Sequence, residues 1–137
     1  MTSPTAAARR VLVVDDVLIN RRLATALFTK LGWQAAEATG GIVALEWLAS
    51  NPAIDLMLLD ISMPDLSGED LCRQLRANPA FAELPIVAYT AHAMQVDIDR
   101  FLISGFNAVL IKPITMQSLK DLVAGLFPQL NFCRISS

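Results

Sequence analysis

The chain has 137 residues, a formal net charge of −2 and 54% hydrophobic residues. That length suits a single domain, and the scattered arginine pairs Arg9–Arg10 and Arg21–Arg22 make no basic stripe, so no nucleic-acid binding by this chain is expected. A mean hydropathy of +0.47 raises the question of a membrane, but the longest stretch free of charge, Leu84 to Val96, holds Pro85, Thr90, His92 and Gln95 and is too short to span one.

Residues 1–8 have no partner element and are expected to be a flexible tail, as are the last ten from Pro128. Only four apolar residues separate Arg10 from Asp15, so a secretory segment is not expected and the cytoplasm is the expected compartment. Cys72 and Cys133 lie too far apart for metal-ligand spacing and are read as free thiols, Cys72 as a small packing residue.

Five short apolar runs then punctuate the chain. Val11 to Val14 is the first; Trp33 to Ala38, interrupted by Gln34 and Glu37, has the look of an edge strand; Leu56 to Leu59, Ile86 to Tyr89 and Ala108 to Ile111 follow. Continuous apolar runs of this length suit strands buried on both faces of a parallel sheet. Between them, helical spacing joins Ile19, Leu23, Leu27 and Leu31; Ile42, Leu45 and Leu48; Leu71 and Leu75; Met94, Ile98, Phe101 and Leu102; and Met116, Leu119, Leu122, Val123 and Leu126. Stop and start signals agree: Gly32 and Gly105 close helices, Ser67 with Asp70 and then Thr115 open them, and Pro85 stands at the head of its strand. Five βα units with right-handed crossovers predict an α/β fold, a doubly wound parallel sheet.

In such a sheet, ligands bind beyond the carboxyl ends of the strands. There the sequence places Asp15 and Asp16 after the first run, Asp60 after the third, Thr90 after the fourth, and Lys112 with Pro113 after the fifth. Three carboxylates packed together are costly unless their pKa values rise or a divalent cation joins them, and Mg²⁺, a hard ion that takes oxygen ligands and shares phosphates, meets that need. Each residue alone has a bland reading as a cap or a solvated charge. Their convergence at one edge does not.

These residues resemble the receiver (response-regulator) domain of two-component signalling. The resemblance runs from Arg9 to Phe127 and is carried by Val13-Val14-Asp15-Asp16, by Leu58-Leu59-Asp60-Ile61-Ser62-Met63-Pro64-Asp65 with Gly68, by Ala88-Tyr89-Thr90-Ala91 and by Ile111-Lys112-Pro113. It implies a receiver unit over 9–127, the flavodoxin-like (βα)5 fold and strand order 2-1-3-4-5. It also implies that Asp60 accepts a phosphoryl group from a phosphohistidine of a sensor histidine kinase or histidine phosphotransfer domain. Asp16, Asp60, the backbone carbonyl of Ser62, and Asp15 directly or through water, would hold Mg²⁺. Lys112 would neutralise phosphoryl charge, Thr90 would switch onto the new oxygens, Ala91 would leave them room, and the Lys112–Pro113 bond would be cis, against about 5–6% of X–Pro bonds in general. Asn20-Arg21, Leu27, Leu31-Gly32, Thr90 to Met94 and Gly105 to Ala108 resemble receivers of hybrid sensor kinases most. A stand-alone receiver and one excised from a longer chain remain equal readings, and the sequence names neither kinase nor effector.

Three positions depart from the pattern. Val17 replaces the asparagine usual after the acidic pair in hybrid-kinase receivers, and Val109 replaces a common aromatic three residues before the lysine, so coupling by rotation of a ring there is not expected. His92, the only histidine, stands two residues after Thr90 and is read either as solvated or as a modulator of dephosphorylation. Two rival functions compete with the receiver. A haloacid-dehalogenase-type phosphohydrolase needs a second Asp two residues after its nucleophile, where this chain has Ser62 after Asp60 and Val17 after Asp15. A degenerate receiver acting only as an interaction module is disfavoured because all five key positions are filled.

Overall fold

A computed structural model describes residues 9–127. The two expected tails and Cys133 lie outside the described residues. The elements run β1 (Arg10–Val14), α1 (Leu18–Lys30), β2 (Gln34–Ala38), α2 (Gly41–Ser50), β3 (Leu56–Asp60), α3 (Gly68–Arg76), a 3-10 turn (Pro79–Phe81), β4 (Ile86–Thr90), α4 (Gln95–Ser104), β5 (Ala108–Ile111) and α5 (Met116–Leu126). The five strands form one parallel sheet in the order β2-β1-β3-β4-β5, with β2 at an edge.

Period-two alternation divides the core. Leu12, Val14, Met57, Leu59, Ile86 and Ala88 face α2, α3 and α4, while Val11, Val13, Leu56, Leu58, Val87 and Tyr89 face α1 and α5. Both faces are covered, which is why the strands read as continuous apolar runs. Register then levels the strand ends: Val14 pairs with Ala38 and with Leu59, Asp60 with Tyr89, and Thr90 with Ile111. Residues just past those positions meet at one rim of the sheet.

Caps fall where the sequence puts them. Ser67 accepts from the Asp70 N–H at 3.2 Å, Thr115 accepts from the Ser118 N–H at 3.0 Å, and Gly32 and Gly105, with φ of +92° and +116°, end α1 and α4. Pro85 differs by one place, lying just before β4.

Three helices bury only part of the stripe that their large apolar residues suggest: Leu48 and Phe101 are buried and Leu27, Leu31 and Leu45 pack against the core, but the rest of each stripe turns outward. On α1 the buried residues are Arg21, Ala24 and Phe28, and Ile19 is 75% exposed. On α2 they are Gly41, Ala44 and Leu48, with Ile42 exposed; on α4 Phe101 alone is buried, with Met94 and Leu102 exposed. Small residues allow α1 and α2 to approach the sheet closely, and Phe28 supplies the bulk, its ring edge-on to Trp33 at 5.3 Å.

Gly68 opens α3 directly against the end of β3. A Cβ there would stand 2.5 Å from the Asp60 carbonyl oxygen and 2.9 Å from Cα of Ile61, both backbone atoms that cannot yield cheaply. Gly68→Ala is therefore expected to destabilise the protein by about 1–3 kcal/mol. A urea-unfolding midpoint equal to that of the wild type would contradict this close approach.

Candidate functional site

Asp15 follows β1 directly and is fully buried. Its N–H donates to the Ala38 carbonyl at 3.1 Å, and its Oδ1 accepts from the Val17 N–H at 2.9 Å. The Lys112 ammonium pairs its charge with Oδ2 at 3.0 Å, though not in hydrogen-bonding geometry. Asp60, the last residue of β3, accepts from the Ser62 N–H at 3.1 Å through Oδ1, which lies 3.5 Å from the same ammonium. Asp16 is exposed at the rim, and one carboxylate oxygen from each of Asp15, Asp16 and Asp60 falls within 4.8 Å of the others.

Lys112 is aimed by its strand and by its surroundings. Its N–H donates to the Thr90 carbonyl at 2.8 Å, extending the β4–β5 ladder by one residue. The Lys112–Pro113 bond is cis. The ammonium sits 4.9 Å from the centroid of the Tyr89 ring, a cation–π contact on the side of the sheet facing α1 and α5.

Burial pushes the Asp60 carboxyl up to about 6, with the Asp15 charge acting in the same direction and the Ser62 N–H and Lys112 opposing it. Near neutral pH the group is still mostly ionised. Burial, aided by Asp15, pushes the Tyr89 phenol up to about 12, so the ring under Lys112 stays neutral.

The donor set fits a hard divalent ion. Three carboxylates face one ammonium, and the buried Oδ2 of Asp15, charge-paired with that ammonium at 3.0 Å, accepts no hydrogen bond and is left open to a cation. A cation seated among the three oxygens would satisfy it.

A cleft of about 470 Å³ opens above this cluster, lined by Asp16, Asp60, Ser62, Thr90 and Lys112 among others. The Thr90 hydroxyl donates to the His92 carbonyl at 3.0 Å and accepts from the His92 N–H at 3.3 Å, so it is engaged only with a turn two residues on. Ala91 and His92 line the same wall, Ala91 exposed. Val109 is half-buried and packs into the core on the α4 side, away from the carboxylates.

Two contributors escape the sequence reading. Tyr89 reads there only as a core residue, although an aromatic adjacent to the strand-end threonine was the available signal. Asp65 stands in the motif without a role. Its carboxylate accepts from the N–H groups of Gly41 at 3.3 Å, Ile42 at 3.0 Å and Leu66 at 2.9 Å, which hold its pKa below the usual carboxylate range and cap α2 from another loop.

The fold and cluster together define a class of signalling domain, and comparison with known proteins gives the same answer. The profile of the Response regulator receiver domain matches residues 11–124. The chain belongs to the response-regulator receiver family and is a phosphoacceptor domain of two-component systems. It is 40% identical over 114 residues to sensor histidine kinase RcsC of Salmonella typhi, covering 83% of this chain and 12% of that protein. Chemotaxis protein CheY of Pseudomonas aeruginosa is 35% identical over 123 residues, covering 89% of this chain and 98% of that one. Among solved structures, the receiver domain of a Pseudomonas aeruginosa sensor histidine kinase, with a magnesium ion coordinated in its active-site cleft, superposes with a TM-score of 0.74 at 29% identity, covering 86% of this chain and 96% of that one. The chain thus spans a small part of the RcsC kinases it matches and nearly all of the chemotaxis proteins. No helix among the described residues is long and apolar enough to cross a membrane.

Proposed function

We propose that Asp60 is the phosphoacceptor, within a receiver unit over 9–127 that works in the cytoplasm with Mg²⁺ and a phosphohistidine donor on a sensor histidine kinase or phosphotransfer domain. The observation that carries this reading is the pairing of Asp60 with Lys112 at 3.5 Å on the floor of an open cleft beside two further carboxylates. A carboxylate oxygen of Asp60 forms a bond to phosphorus as the P–N bond of the donor breaks, and the electron pair of that bond returns to the imidazole nitrogen. Lys112 faces the developing charge with its own geometry already fixed by Tyr89 and Asp15. Asp15, Asp16, Asp60 and the Ser62 carbonyl are the groups that would hold Mg²⁺, which supplies neutralisation of the phosphoryl oxygens when bound.

After transfer, the Thr90 hydroxyl exchanges its bonds to the His92 backbone for phosphoryl oxygens, and the exposed Ala91 leaves space for them. Hydrolysis of the acyl phosphate takes place in the same cleft, where Ser62 and His92 border the approach of water. The expected result of incubation with Mg²⁺ and a small acyl phosphate is one added phosphoryl group by intact mass, labile to hydroxylamine and absent when the metal is chelated. A chain that gains no mass under these conditions, or turns over a phosphomonoester many times, would overturn the reading.

A further inference from the structure

Outside the carboxylate cluster, a single charged residue among those described is buried: Arg21 of α1, 8% exposed. Its Nε donates to Oε1 of Glu37 at 2.7 Å, and its Nη1 donates to the backbone carbonyl of Asp15 at 2.9 Å. Burying a guanidinium is costly unless it is paired and hydrogen-bonded. Pairing Glu37 does not require burial, since the exposed Arg22 also reaches that carboxylate at 3.2 Å. What only the inward position achieves is the contact with Asp15.

That contact completes a clamp. Glu37 and Ala38 are consecutive on the edge strand β2; the Ala38 carbonyl takes the Asp15 N–H at 3.1 Å, and Glu37 holds the guanidinium that takes the Asp15 carbonyl. The carbonyl belongs to the peptide that joins Asp15 to Asp16. Among the described residues the Asp16 carboxylate makes no hydrogen bond or ion pair with protein groups, so its reach toward the other two carboxylates rests on where the backbone sets its Cα–Cβ bond. The cost of the arrangement is visible on α1, which turns Arg21 inward and leaves Ile19 75% exposed.

We propose that Arg21 is a positioning residue for the cation site, fixing the Asp15–Asp16 peptide so that the Asp16 carboxylate meets those of Asp15 and Asp60. This rests on reading the three carboxylates as a Mg²⁺ site. The sign of the effect separates positioning from charge alone. A guanidinium near a cation site repels the cation, so simple loss of its charge would tighten Mg²⁺ binding, whereas loss of positioning weakens it. A lysine keeps the charge but lacks the planar fork that reaches Glu37 and the carbonyl together.

The test is calorimetric titration of Mg²⁺ into the whole chain, as wild type, Arg21→Gln and Arg21→Lys, with circular dichroism and Mg²⁺-free melting curves to establish folding. Both variants are expected to bind Mg²⁺ about 10-fold more weakly, the scale on which supporting partners of metal ligands act. Both should also need correspondingly more Mg²⁺ for half-maximal phosphorylation by a small acyl phosphate, while the rate at saturating Mg²⁺ stays close to wild type. If Arg21→Gln does not fold, Arg21→Lys alone decides. Unchanged or tighter Mg²⁺ binding in a folded variant overturns the role of Arg21, whatever its melting temperature. A wild-type chain that binds no Mg²⁺ overturns the cation site itself and the inference with it.

Discussion

Asp60→Asn is expected to abolish phosphoryl uptake and, in the absence of Mg²⁺, to make the protein more stable at neutral pH. The first effect follows from the proposed role of Asp60 as the nucleophile. The second follows from linkage: burial holds the folded-state pKa near 6, above the ordinary 3.8, so the folded chain binds this proton more tightly than the unfolded chain does. The stability this group contributes is therefore fully present below about pH 3.8 and is lost as pH rises through 6. Above pH 6 the ionised Asp60 weighs against the fold by up to about 3 kcal/mol, because each tenfold difference in proton affinity between the folded and unfolded chain is worth about 1.4 kcal/mol. An amide of the same shape carries no such penalty. Thermal melts in chelator should show a stability gap between variant and wild type that opens between about pH 4 and pH 6 and stays constant above. A variant that melts at or below the wild-type temperature at neutral pH would contradict the burial argument, and a retained mass gain would contradict the assignment of Asp60.

Lys112→Gln is expected to slow phosphoryl uptake by about 10²–10³-fold, the usual cost of losing one preorganised group aimed at developing charge. The same change leaves Asp15 and Asp60 without their common counter-charge, and Asp15 is fully buried. Removing one partner of a buried pair costs about 3–5 kcal/mol. Because a divalent ion among the three carboxylates supplies part of the missing charge, Mg²⁺ should stabilise Lys112→Gln more than it stabilises the wild type. Denaturant titrations with and without Mg²⁺, beside uptake rates by intact mass, test both parts; equal stabilisation of the two proteins by Mg²⁺ would show that Lys112 and the ion do not share a task.

The strands were legible because a sheet covered on both faces needs unbroken apolar runs, and the residues after those runs are brought together by register alone. Asp15, Asp60, Thr90 and Lys112 could therefore be placed at one rim from sequence. The faces of the helices were less legible. On α1 the regular spacing of Ile19 and Leu23 suggests burial, yet close packing on a sheet favours Ala24, and the inward turn also carries Arg21 to Asp15. Size marks apolarity, not proximity. The contacts of Asp65 with the start of α2 and of Lys112 with Tyr89 join residues distant in sequence, and no local pattern announces either. Gly68 stood in the motif, but the backbone approach that requires a glycine there is visible only in three dimensions.

The carboxylate of Asp65 also makes the two sides of the cleft unequal, although it does not line the cleft itself. On the Ser62 side, the loop after β3 is fastened across a long span of chain to the first turn of α2, so displacing that wall means uncapping a helix. On the Thr90 side, the hydroxyl is held only by the backbone of a residue two places along. On the proposed reading, a phosphoryl group on Asp60 would meet a Ser62 side anchored to α2 and a Thr90 hydroxyl that has only local bonds to exchange, so the hydroxyl would be the first group to move.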